Sequence, residues 1–162
     1  MMETVVLIAQ ACATVFLAGW ITAGVKDNIQ HPDMNRTFTS MVLRMERMEE
    51  LYPEHFEIVK HRRIKEPRLL NMAYGFIVLC ESIAALLLWA GAVFLLFALV
   101  GWAQPETAKS AALVGALAFT SVWAGFLIFG NHFGYWYAHE AAQNTHFQLV
   151  IWGIATMVFL TV

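Results

Sequence analysis

The feature that most limits what this chain can fold into is an uncharged run of nineteen residues, Ser82 to Val100, SIAALLLWAGAVFLLFALV. As a helix it is close to the roughly 30 Å needed to cross a hydrocarbon layer. Two more apolar runs, Val5 to Val25 and Ser110 to Gly130, have similar length, and a shorter one closes the chain at Leu149 to Val162. Charge is kept away from all of them: nine of the ten Lys and Arg lie between Lys26 and Arg68, Lys109 being the exception. Only 14% of the 162 residues are charged and 59% are hydrophobic, whereas a soluble domain carries about 25% charge. The lipid bilayer is therefore the expected surrounding of most of the chain. A net charge of −2 gives no electrostatic footprint for nucleic acid.

The fold class expected is all-α, a single integral membrane domain of four transmembrane helices over residues 5–25, 70–100, 110–130 and 139–162. Glu3 and the lack of Lys or Arg before the first run argue against a cleaved leader, so that run is read as a retained span. Ala11, Ala18, Gly19, Ala23 and Gly24 in the first span, and Ala112, Gly115, Ala116 and Gly125 in the third, let neighbouring helices approach closely.

The polar segment 26–69 reads as a cap. It begins with the turn-rich KDNIQHPDMN, where Pro32 disfavours helix through His31. Thr37 or Thr39 can cap a helix reaching Tyr52, with Phe38, Met41, Met45, Met48 and Tyr52 on its apolar face. Pro53 suits the start of a second helix, Glu54 to Lys65, and Pro67 its end, which makes an amphipathic helical hairpin. A Met stripe at helical spacing is a packing feature before it is a copper site. By the excess of basic residues, this loop should face the cytoplasm of a bacterial inner membrane, with both termini outside. Cys12 and Cys80 fall at different depths of antiparallel helices and are expected to be unpaired.

The least ordinary stretch is Asn131 to Phe147, NHFGYWYAHEAAQNTHF. His132, His139 and His146 are spaced seven and seven, which on one continuous helix forms a stripe. The apolar run that follows has only fourteen residues, about 21 Å, so a crossing must draw in the turns from Gln143 or His139. His146 and Gln143 should then be shielded from water, and desolvation would keep the imidazole neutral. Counting along the second span puts Glu81 at the same membrane face, near Asp27, Asn28 and His31.

The candidate metal site drawn from this convergence is His139, His146 and His132 with Asp27, His31 and Glu81, for copper or zinc. Histidines seven apart rise by roughly 10 Å, so one ion needs ligands from several segments. His139-Glu140-x5-His146 is not the HExxH of zinc proteases, whose histidines stand one turn apart. Haem is disfavoured because the first three spans hold no facing histidine. The competing reading is that these groups hydrogen-bond between helices. No nucleophile triad, phosphate loop or inverted repeat is present.

VKDNI after the first span, ESIAALLLWAGA from Glu81 to Ala92, and the aromatic turn before a short last span resemble an uncharacterised bacterial family of predicted small integral membrane proteins. The resemblance implies four spans in an inner membrane and no particular activity. The expected function is therefore an accessory or interaction subunit bound to other membrane protein subunits. A metal- or cofactor-binding redox or monooxygenase-type component is the alternative.

Overall fold

All four prolines open helices, and this fixes most of the architecture. The computed structural model describes residues 2–162. Its helices are α1 (Met2–Gln30), α2 (Pro32–Leu43), α3 (Glu46–Leu51), α4 (Pro53–Val59), α5 (Pro67–Leu99), α6 (Pro105–His132), α7 (Tyr135–Ala138) and α8 (Glu140–Leu160). Pro32, Pro53, Pro67 and Pro105 each stand at a first helical turn, where the missing N–H would have no partner anyway. Pro67 thus begins α5 instead of ending a cap helix.

The long helices α1, α5, α6 and α8 form a bundle in which α5 packs along both α1 and α6, and α6 along α8. Its core is built from Leu17, Ala18, Ile21, Ala84, Leu88, Leu95, Ala112, Ala116 and Phe119. Close approach at the α5–α6 seam depends on two glycines. A Cβ on Gly91 would overlap the Ala112 backbone, and one on Gly115 would overlap that of Leu88. Gly153 does the same for α8 against Thr120 and Phe119 of α6. At the end far from the cap, the Gln10 amide donates to the Phe159 carbonyl at 2.9 Å, and Lys109 Nζ donates to the Val162 carbonyl at 3.3 Å.

Among the described residues, three helices, α1, α5 and α6, are long and apolar enough to cross a membrane, and not the four expected. The fourth, α8, has 21 residues, and its first half carries Gln143, Asn144, Thr145, His146 and Gln148.

Two expectations for the cap are corrected. The helix of α1 does not stop at Val25 but continues to Gln30, because nothing in KDNIQ removes a backbone donor; it yields only at His31, the residue before Pro32. The expected single helix to Tyr52 is broken at Met45, whose φ of 55° and ψ of 32° are left-handed. Neither Thr37 nor Thr39 is its cap, since Pro32 already starts the helix five or more residues earlier. A non-glycine residue holds that conformation only when its surroundings compensate. Here Met45 is 1% exposed and packs with Met48, Phe56 and Ala138. Phe38 and Tyr52 stay partly exposed, each with its ring edge to face against His139 and Tyr137 respectively. The hairpin closes by Ile64 N–H donating to the Leu43 carbonyl at 3.0 Å and Arg63 Nε to the Arg44 carbonyl at 2.8 Å.

Candidate functional site

Beneath the cap, the polar side chains gather in two clusters of different construction. In the first, the end of α1 meets α2 and α5 through one residue. Asn28 Nδ2 donates to Glu81 Oε2 at 2.6 Å, Asn28 Oδ1 accepts from Asn35 Nδ2 at 2.5 Å, and the Asn28 carbonyl accepts from the Tyr74 hydroxyl at 2.8 Å. The Arg36 guanidinium lies 5.3 Å from the centre of the Tyr74 ring. Glu81 is buried within an otherwise apolar stretch of α5, so its amide donor matters. A carboxyl without a partner at that position would be costly. The chemistry this cluster performs is the joining of three helices.

The second cluster surrounds Tyr135. After His132, α6 ends at Phe133, and Gly134 takes a left-handed φ of 68°, at which a Cβ would also meet the Met48 sulfur at 2.9 Å. One turn of α7 follows, and the chain breaks again at His139, with φ −134°. These two breaks explain why the three histidines do not form a stripe: they sit on separate pieces of chain, so the seven-residue spacing no longer sets their positions. The Tyr135 ring instead stacks on both His139 and His146, with centroids at 5.8 and 5.7 Å. Its hydroxyl shares a hydrogen bond with His146 Nδ1 at 3.2 Å. Trp123 and Phe126 of α6 complete an aromatic box around His146, at 5.3 and 4.9 Å.

Burial pushes the Tyr135 phenol up to about 12, so it stays protonated and able to donate. Burial also lowers the pKa of His139 below its usual value, and the positive charge of Arg47 lowers it further. His139 therefore remains neutral at pH 7. Among the described residues, its Nδ1 has no hydrogen-bond partner, nor does the buried Trp123 Nε1.

Of the six candidate ligands, only His139 and His146 come together, each against Tyr135. Glu81 belongs to the first cluster. Asp27, His31 and His132 are exposed, and the His132 carbonyl accepts from Arg62 Nη1 at 3.2 Å. Among the described residues, no three of His, Cys, Asp and Glu are arranged to hold a metal ion. Cys12 and Cys80 are both free. Sequence reasoning assigned no site role to Tyr135 or to Arg47. Gly134 just before the aromatic run was the available signal that the helix would break there.

Three membrane-length apolar helices in a bundle closed by small residues define a helical integral membrane protein. The chain belongs to the family described as predicted small integral membrane protein (DUF2165), whose pattern it matches over residues 6–162. No curated protein and no solved structure matches it.

Proposed function

We propose that this protein is an accessory or interaction subunit of a larger assembly in a bacterial inner membrane, and that the outward faces of its long helices are the contact surfaces. The observation that carries this reading is the set of open glycines. At Gly19 and Gly24 of α1, Gly75 of α5 and Gly125 of α6, a Cβ would meet nothing within 4 Å. Glycine inside a helix costs about 0.5–1 kcal/mol relative to alanine. Gly91, Gly115 and Gly153 offset that cost by close packing within the chain, and these four do not. On α1, moreover, Ala9, Cys12, Phe16, Gly19 and Ala23 are exposed and recur at steps of three and four residues. That is the spacing of a seam for another helix.

In this reading α8 is a fourth span. Its 21 residues make about 31 Å of helix, and it runs beside α6 down to the level of Lys109. The basic cap then faces the cytoplasm and both termini face outward. Purification in mild detergent tests the assignment. It predicts co-purification in a stable stoichiometric assembly, and a chain that isolates alone and monomeric from native membranes contradicts it.

The alternative, a metal- or cofactor-binding redox component, rests on the meeting of His139 and His146 at Tyr135. In that case the set His139, His146, His132, Asp27, His31 and Glu81 would have to gather around copper or zinc. Metal analysis and an absorption spectrum of gently purified protein, wild type and His146→Gln, decide it. Stoichiometric metal lost on substitution supports it, and none in the wild type ends it.

A further inference from the structure

The cap and the start of α8 border a cleft of about 380 Å³, lined by one cation, Arg47, and one anion, Glu140. Arg47 of α3 stands on one side; it is exposed and, among the described residues, has no ion-pair partner. Its neighbours in the cap are tied instead, Arg44 to Glu46 and Arg63 to Glu49. On the other side is the first turn of α8, Glu140 to Ala142, a helix end whose backbone N–H groups point outward without intrahelical acceptors. His139 forms part of the wall; it is only 6% exposed, yet its Nδ1 is unpartnered. Tyr52 and Tyr137, packed edge to face at 4.4 Å, add phenol groups to the lining. The cleft thus combines an exposed cation, a helix N-terminus, a buried neutral imidazole and two tyrosines.

We propose that this cleft binds a phosphate group, held by Arg47, the first turn of α8 and His139. An Arg fork opposite free backbone N–H groups matches the geometry of a phosphate oxyanion. The position under an amphipathic cap, where the apolar helices end, is also where the phosphodiester of an anionic lipid would reach. Glu140 opposes the site, since its carboxylate lines the same cleft and competes for the same positive end. The bound phosphate is therefore outcompeted in part by the protein's own side chain, and removal of that charge strengthens binding. This inference is independent of the association reading: it stands or falls on the cleft alone.

The test uses the full chain in neutral maltoside micelles, titrated calorimetrically with two probes, inorganic phosphate and dihexanoylphosphatidylglycerol. Saturable binding of the glycerolipid alone identifies a lipid headgroup site, of phosphate alone a site for a soluble anion, and of both a site for the shared phosphate group. Arg47→Gln, at an exposed position, should weaken binding about tenfold, as expected for loss of a charge-assisted hydrogen bond. Glu140→Gln should tighten it, and Arg44→Gln, outside the cleft, should leave it unchanged. No saturable binding of either probe overturns the proposal, as does equal affinity in wild type and Arg47→Gln. Weaker binding in Glu140→Gln would indicate a cation instead and overturn it equally.

Discussion

The glycines at the α5–α6 seam and those on the outside of α1 are the same residue in the same kind of helix, but their surroundings are opposite. Gly91 and Gly115 let two backbones touch, and a single added carbon at either would strike main-chain atoms that cannot move aside. Gly19 and Gly24 face open space. In lipid, the apolar tails gain nothing by preferring one apolar side chain over another, so helices associate through close packing and polar contacts. The seam shows what this chain does with glycine where it has a partner helix. The outer face of α1 carries glycine without such a partner, which is the basis for proposing that its partner is another chain.

The largest effect that sharpens this comparison is expected at the seam. Gly115→Leu places a branched side chain against the backbone of Leu88 and should destabilise the bundle by about 3 kcal/mol, the upper part of the usual range for overpacking. Thermal loss of helicity in detergent measures it. A variant as stable as wild type would mean the seam is loose and that the glycines carry no packing information.

The polar counterpart of the seam is the Asn28 junction. Asn28→Ala removes the donor to Glu81 and the acceptor for Asn35, and should cost about 1–3 kcal/mol for the buried carboxyl left unpaired. Glu81→Gln should cost less, because an amide keeps an acceptor for Asn28. If the two variants are equally stable, Glu81 draws little from that hydrogen bond.

A smaller effect belongs to His139. Its pKa is lowered in the fold from the ordinary 6.5, so above that pH both folded and unfolded chains hold it neutral and stability is insensitive to it. As pH falls below 6.5 the unfolded chain takes up the proton and the folded chain does not, so stability declines until the folded pKa is reached. His139→Asn should flatten that acid slope in detergent melts between pH 7 and 5. Parallel slopes in the two proteins would show that the imidazole is not desolvated.

Much of this was legible in the sequence, because the period and length of apolar runs follow directly from the cost of exposing backbone or charge to lipid. The runs at 5–25 and 110–130 lie inside α1 and α6, and all but the last residue of 82–100 lies inside α5; counting along them placed Asn28 and Glu81 at one membrane face. The polar middle was harder. Met45 breaks a helix that local propensity favours, because burying its side chain against Phe56 and Ala138 outweighs the strain of a left-handed residue. The His-rich turn failed for the opposite reason: periodicity assumes a continuous helix, and Gly134 and His139 interrupt it. Tyr135 consequently swings inward between two histidines, a position that spacing alone does not encode.

The central claim, that the outer face of α1 is an association surface, is tested most directly by Gly19→Leu in native membranes. Among the described residues, a Cβ at that position would meet nothing within 4 Å, so the isolated variant should melt as wild type does. Extracted in mild detergent, wild type should migrate in an assembly larger than its own 18.3 kDa, and Gly19→Leu should release the free chain. An assembly that survives Gly19→Leu unchanged, or a wild-type protein already monomeric, would contradict the account.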